Sequence, residues 1–188
     1  MSELQELLRD IVARLDAAGI PFMVAGSFAS SAHGMPRTTQ DLDLVIAPPG
    51  PASLNALVAS LPKDRYYVDP DTAREALRLR AMFNVVDMRS GWKVDMILLK
   101  NRDFSHAEFA RRQPHRMLEV PVFIASPEDT ILAKLEWSKM SGGSERQRRD
   151  VAGILTTSGS ALDREYVERW VASLGLREEW SAAEQTEV

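Results

Sequence analysis

The 188-residue chain contains no cysteine. That excludes disulfides, thiolate zinc sites and a cysteine nucleophile, and it leaves the compartment open. No apolar run approaches the ~20 residues that a membrane span requires. There is no Gly-x-Ser-x-Gly elbow for serine hydrolysis, and His33, His106 and His115 lack metal-ligand spacing. A strong charge of one sign is also missing. The net charge is -4, so any hold on a polyanion must come from local patches or metal ions. The opening Met1-Ser2-Glu3-Leu4-Gln5 places Glu3 and Glu6 where a signal peptide would carry lysine or arginine. The chain is accordingly expected to be cytoplasmic, with no membrane partner.

What is present is an ordinary globular composition, 45% hydrophobic and 27% charged, at a length that suits one domain with or without an appendage. Leu4, Leu7, Leu8, Ile11, Val12 and Leu15 repeat at helical spacing behind a Ser2/Gln5 capping pattern. Residues 20–25 read as a short buried strand, 28–32 as a brief helix ended by Gly34, and 41–46 as a second strand. Leu54, Leu57, Val58 and Leu61 predict a helix stopped by Pro62. Asp69-Pro70 opens a basic helix that runs to about Arg80. Residues 83–88 and 92–98 predict a hairpin around Arg89-Ser90-Gly91, and 117–124 a further strand at an edge, since Pro121 lacks a donor. After Ser126-Pro127 the pattern is wholly helical, and Ser181 to Val188 read as a polar, frayed tail. The fold class is therefore α/β (α+β), a small mixed sheet of four or five strands with flanking helices. A core over 1–125 is expected, with a helical C-terminal extension over 126–188 packed on it.

Asp41 and Asp43 lie two apart on a predicted strand, so both project from one face while Leu42, Leu44 and Ile46 project from the other. Side-by-side carboxylates repel unless a cation lies between them, and one or two carboxylates plus substrate phosphates is the usual magnesium arrangement. Asp95 offers a third carboxylate on a strand where Val94, Met96 and Leu98 alternate against Lys93, Asp95 and Ile97. Should that strand lie beside the Asp41 strand, all three converge. The plain alternative is a solvated strand face. Against it, aspartate is disfavoured in strands, and here it occurs three times among strongly apolar neighbours.

Gly26-Ser27 stands at a strand-to-helix junction, where free amides, a hydroxyl and the helix dipole can cradle phosphate; the alternative is a common turn with an N-cap. Arg37 precedes the aspartate strand and has the fork to grip a phosphate, or is simply an exposed loop arginine. Lys134 shares a predicted helix with Ile131 and Leu135 and is either aimed at the site or faces solvent. Asp150 is a candidate partner for it. Arg146, Arg148 and Arg149, and Arg111, Arg112 and Arg116 with His115, form basic clusters that suit a tRNA acceptor, or else the charged faces of helices.

The order Val24-Ala25-Gly26-Ser27, then Arg37-Thr38-Thr39-Gln40-Asp41-Leu42-Asp43-Leu44, then Val94-Asp95-Met96 resembles the nucleotidyltransferase superfamily with the DNA polymerase β type of fold. Within it the chain looks most like the bacterial AbiEii-like branch, which includes toxins of toxin–antitoxin pairs. Ser126-Pro127-Glu128-Asp129 with Ile131-Leu132-Ala133-Lys134-Leu135, and Arg149-Asp150-Val151, look like this branch too. The resemblance covers roughly residues 7 to 155, with a longer stretch from Gly26 to Asp41 than minimal members have. It implies a magnesium- or manganese-dependent transfer of a nucleoside monophosphate from an NTP to a hydroxyl on RNA (such as tRNA), protein or a small molecule. Asp41, Asp43 and Asp95 would be the catalytic metal ligands, with Asp95 also a candidate base. Gly26, Ser27, Arg37, Thr38 and Lys134 would bind the nucleotide.

Two other readings compete. One is a non-catalytic nucleotide-binding subunit, such as an antitoxin-like partner in a toxin–antitoxin pair. The other is a glycosyltransferase holding a sugar nucleotide through Asp-x-Asp, which a chain of this length disfavours.

Overall fold

The computed structural model describes residues 2–187. Its chain forms two compact units. The first takes the residues up to Val24 together with Gln40–Ile124; the second takes Ala25–Thr39 together with the residues from Ala125 onward.

The first unit is built on strands β1 (Phe22–Val24), β2 (Asp41–Ile46), β3 (Tyr66–Tyr67), β4 (Met82–Asp87), β5 (Lys93–Leu98), β6 (Gln113–Met117) and β7 (Val120–Ile124). They form one mixed sheet in the order β3-β4-β5-β2-β1-β7-β6. The class is the α/β one expected, with seven strands instead of four or five. The two added strands have clear physical origins. β3 is only two residues long and pairs Tyr66 and Tyr67 with Asp87 and Val86, too short to leave a periodic pattern. The single strand expected over 117–124 is a hairpin, β6 with β7, turned at Leu118 and Glu119. Pro121 also sits differently from expectation. β7 is an inner strand, but its parallel pairing with β1 is confined to Val24 and Ile124, so no ladder bond is required of the proline on that side.

Helix α1 (Glu3–Ala17) is capped by Ser2, whose hydroxyl accepts from the Gln5 amide, and it buries Leu7, Leu8, Ile11, Val12 and Leu15 along one stripe. It packs against β7 and against α3 (Pro51–Ser60), which in turn meets α4 (Pro70–Leu79). Asp69 and Pro70 open α4 as expected, and the unit's last helix is α5 (Asp103–Ala110). The sheet's register is set by apolar burial. Leu42, Leu44 and Ile46 of β2 and Val94, Met96 and Leu98 of β5 are all fully buried, each worth about 1.5–3 kcal/mol. A slip of one residue would turn all six to the opposite face. The residues between them are therefore held on the other face by the core.

The second unit is helical: α2 (Gly26–His33), α6 (Pro127–Met140), α7 (Glu145–Ser158), α8 (Arg164–Leu174) and α9 (Arg177–Glu184), with a short 3₁₀ turn at Gly159–Ala161. α6 is central and touches α2, α7, α8 and α9. Its Ser126 cap receives the Asp129 amide, and Asp129 in turn accepts from Ser126 at 2.6 Å and from the Tyr166 hydroxyl at 2.6 Å. The expected frayed tail is helix over its first four residues, 181–184. α9 continues to Glu184 because Trp180 and Ala183 are buried, while Val188 lies outside the described residues. Among the described residues no helix is long and apolar enough to cross a membrane.

Candidate active site

In the first unit, β2 and β5 run parallel with Asp41 opposite Lys93 and Asp43 opposite Asp95. Register partners on parallel neighbours point to the same side, ~4.8 Å apart across the strands, so all three aspartates share one sheet face. Their environments differ. The Asp95 residue is 8% exposed, whereas the Asp41 side chain is half exposed. Burial pushes the Asp95 carboxyl above its ordinary range; Lys93 works against the rise and Asp41 adds to it.

Lys93 is a residue that sequence reading left without a role. Its ammonium stands 3.4 Å from Asp41 Oδ1 and 3.3 Å from Asp95 Oδ1. Burial works to lower its pKa, and the attraction of Asp95 and then Asp41 outweighs burial and holds it raised. Asp95 Oδ1 is nevertheless buried with no hydrogen bond, because the ammonium is near without being aligned. The position was findable: two residues before Asp95, on the same strand and hence the same face.

As they stand, no three histidine or carboxylate side chains among the described residues converge closely enough to hold a metal. The donors do fit a hard divalent ion in kind. They are carboxylate oxygens on rigid strands, and one of them, Asp95 Oδ1, is buried without a hydrogen bond. A magnesium ion needs only one or two such groups once substrate phosphates supply further oxygens.

In the second unit the chain enters α2 through Gly26 at φ 58°, a left-handed backbone that favours glycine. Ala25 caps the helix without a side-chain bond, so the first amides of α2 depend on other partners. Ser27 is buried and its hydroxyl accepts from Arg37 Nη2. Arg37 is not a free loop arginine. It donates through Nε to Asp150 at 3.2 and 3.3 Å and through Nη1 to the carbonyl of exposed Thr38 at 3.4 Å.

Lys134, buried on α6, donates to Asp150 Oδ2 at 2.7 Å, and the side chains are 6% and 8% exposed. Ser30 stands 3.5 Å from the same oxygen. Asp150 thus gathers two cations. Its pairing with Lys134 is among the alternatives the sequence offers, and its pairing with Arg37 is not. The basic clusters are partly neutralised on the surface: Arg149 pairs with Glu145 at 2.8 Å and Arg116 with Glu119 at 3.2 Å.

No protein-family model and no curated protein matches the chain. Solved structures share its fold. The solution structure of the antibiotic-resistance factor ANT(2'')-Ia aligns with a TM-score of 0.57 at 18% identity, over 96% of this chain and 95% of that one. A crystal structure of ANT(2'')-Ia in complex with adenylyl-2''-tobramycin aligns with a TM-score of 0.58 at 17% identity, over 95% and 99%. An antigenic nucleotidyltransferase-like protein from Paracoccidioides brasiliensis gives a TM-score of 0.58 at 16% identity, over 97% and 92%. The chain therefore has a nucleotidyltransferase-like fold. At these identities the fold is what is shared, and activity has to be argued from the residues.

Proposed function

We propose that this chain is a nucleotidyltransferase that moves a nucleoside monophosphate from an NTP to a hydroxyl acceptor with Mg2+ or Mn2+. The observation that carries the reading is the in-register pairing of Asp43 with Asp95, with Asp41 on the same face, in a nucleotidyltransferase-like fold. A bound divalent ion would neutralise triphosphate charge and lower the pKa of the attacking hydroxyl. Asp41, Asp43 and Asp95 are its proposed ligands. Asp95 is also the proposed base for the acceptor proton; the acceptor oxygen bonds to the α-phosphorus as the bond to pyrophosphate breaks. Gly26 and Ser27 offer amides at the start of α2, and Arg37, Thr38 and Lys134 complete the proposed nucleotide-binding set.

The acceptor proposed is a small hydroxyl-bearing molecule. ANT(2'')-Ia is described with an adenylylated tobramycin, and the surface arginines Arg116 and Arg149 are paired with glutamates, which weakens the case for tRNA. We also propose a place in the AbiEii-like branch, supported by the runs from Arg37 to Asp43, from Ser126 to Leu135 and from Arg149 to Val151.

A second reading, a nucleotide-binding partner subunit without turnover, is favoured by one observation: a lysine already stands between Asp41 and Asp95. Labelled NTPs with Mg2+ and separate pools of small hydroxyl compounds, RNA and protein decide between the two. The transferase reading expects labelled product and pyrophosphate, both abolished in Asp41→Asn and Asp43→Asn, with the melting temperature of the metal-free variants not lowered. Saturable NTP binding with no pyrophosphate from any NTP would establish the partner subunit instead.

A further inference from the structure

The lysine on the carboxylate face is held differently from Lys134 and Arg65, two cations that also face buried carboxylates. Lys134 is locked, 2.7 Å from Asp150 with both side chains almost wholly buried. Arg65 is also locked, with Nη2 donating to buried Asp87 at 3.1 Å. Lys93 is held loosely. Its two contacts are 3.3 and 3.4 Å long, its side chain is 35% exposed, and one of the carboxylate oxygens it faces has no hydrogen bond.

A compact ammonium on a flexible four-carbon stem can leave such a place for solvent, as a forked, bidentate guanidinium cannot so readily. The register sets Asp43 beside Asp95 and Asp41 beside Lys93, so the backbone cannot move these carboxylates apart. A nearby cation offsets their repulsion, and in the metal-free chain the Lys93 ammonium stands 3.4 Å from Asp41 and 3.3 Å from Asp95.

We propose that Lys93 is the resident counter-cation of Asp41 and Asp95, and that a divalent ion binds this face only by displacing its ammonium. The inference rests on the metal reading given above and adds to it that metal affinity is set by competition. Lys93 is thus a positioning residue that keeps the carboxylates together while metal-free and weakens ion capture when no nucleotide brings further oxygens. The exchange is balanced in kind. One charge leaves toward water, where an ammonium is well hydrated, and two arrive.

Mn2+ titration followed by the electron paramagnetic resonance of the free ion tests this without reference to turnover. Lys93→Met is expected to bind Mn2+ at least about tenfold more tightly than wild type, since a competing unit charge at contact distance is removed. Asp95→Asn should abolish the binding. Equal affinity in wild type and Lys93→Met would overturn the proposal while leaving the metal reading in place. No Mn2+ binding in either protein would remove the metal reading and the proposal with it, and binding that survives Asp95→Asn would place the ion elsewhere and overturn the proposal. Should Lys93→Met fail to fold, wild type carrying 13Cε-labelled lysine decides. The Lys93 resonance is expected to move on saturation with Mg2+, and a resonance that stays in place would overturn the displacement.

Discussion

Gly34, at the end of α2, meets the backbone of α7 at Gly153. A β-carbon on Gly34 would stand 2.8 Å from the Ile154 amide nitrogen and 2.9 Å from the Gly153 carbonyl carbon. Backbone cannot yield as a flexible side chain can, so Gly34→Ala is expected to force the two helices apart at a cost of about 1–3 kcal/mol. Thermal unfolding would read this as a clear fall in melting temperature. Gly153→Ala should cost less, because its nearest neighbours are the Met35 amide nitrogen at 3.2 Å and the Met35 side chain. Equal effects would contradict this account of the contact.

The Asp150 cluster yields a second test. Removing the carboxylate takes its 2.7 Å ion pair from the Lys134 ammonium, whose side chain is 6% exposed, and breaking a buried pair from one side typically costs about 3–5 kcal/mol. Asp150→Ala is therefore expected to lower the urea midpoint strongly. The double variant Lys134→Met with Asp150→Ala should recover part of the loss, since it removes the buried ammonium and leaves only the less buried Arg37 without Asp150. Additive losses in the double-mutant cycle would mean that the two residues act independently.

Acid stability depends on the network around β3. Asp87 is buried against Arg65 at 3.1 Å and receives the Arg89 amide at 3.0 Å, while Asp10 receives Arg14 at 3.1 Å and the Tyr66 hydroxyl at 2.6 Å. Burial alone would raise both carboxyls. Arg65 and the Arg89 amide at Asp87, and Arg14 and Tyr66 at Asp10, bring them below the usual 3.8. A carboxyl lowered in the folded state contributes stability that is complete above the unfolded value and lost as pH falls through the folded one. Unfolding free energy should therefore be steady with respect to these groups above pH 3.8 and fall below it. In Asp87→Asn the fall should be shallower, from a lower starting stability. Urea titrations across that range would check both.

The turn between β6 and β7 is strained by its residues. Leu118 and Glu119 both hold positive φ, 48° and 63°, between the paired Met117 and Val120. Two-residue hairpins of this kind favour Asn-Gly. The joint substitution Leu118→Asn, Glu119→Gly is expected to stabilise the protein by about 1 kcal/mol. The exposed Arg116–Glu119 pair that it removes contributes little. A lower melting temperature would show that the exposed Leu118 side chain matters more than the backbone.

The same turn shows why parts of the fold were not legible in the sequence. A hairpin announces itself by glycine or asparagine, and this one has leucine and glutamate, so the turn reads as part of a 117–124 strand and residues 113–116 of β6 do not read as strand at all. Where local chemistry is conventional, the sequence is legible: Ser2 as a cap, Asp69-Pro70 as a helix start, and the alternation that sets Asp41 and Asp43 against Leu42 and Leu44. Side-chain partners were harder. Asp150 lies 113 residues from Arg37 and carries no local signal of that pairing. Lys93 was hidden for a different reason, since a lysine on a half-exposed strand face usually signifies solvent alone. Its place on the face of Asp95 follows from their two-residue spacing, but its nearness to Asp41 appears only once the register sets the two opposite each other.

The chain passes between its two compact units three times, after Val24, after Thr39 and after Ile124. Neither unit is a single stretch of the gene, so neither can be obtained by truncation or exchanged as a cassette. A fragment ending at Ile124 would still carry α2 but none of α6 and α7, the helices that α2 packs against. It would expose Ala29 and Ser30 and strand Arg37 without Asp150. Recombination that respects this molecule must therefore take residues 25–39 along with everything from 125 onward, as two pieces moved together.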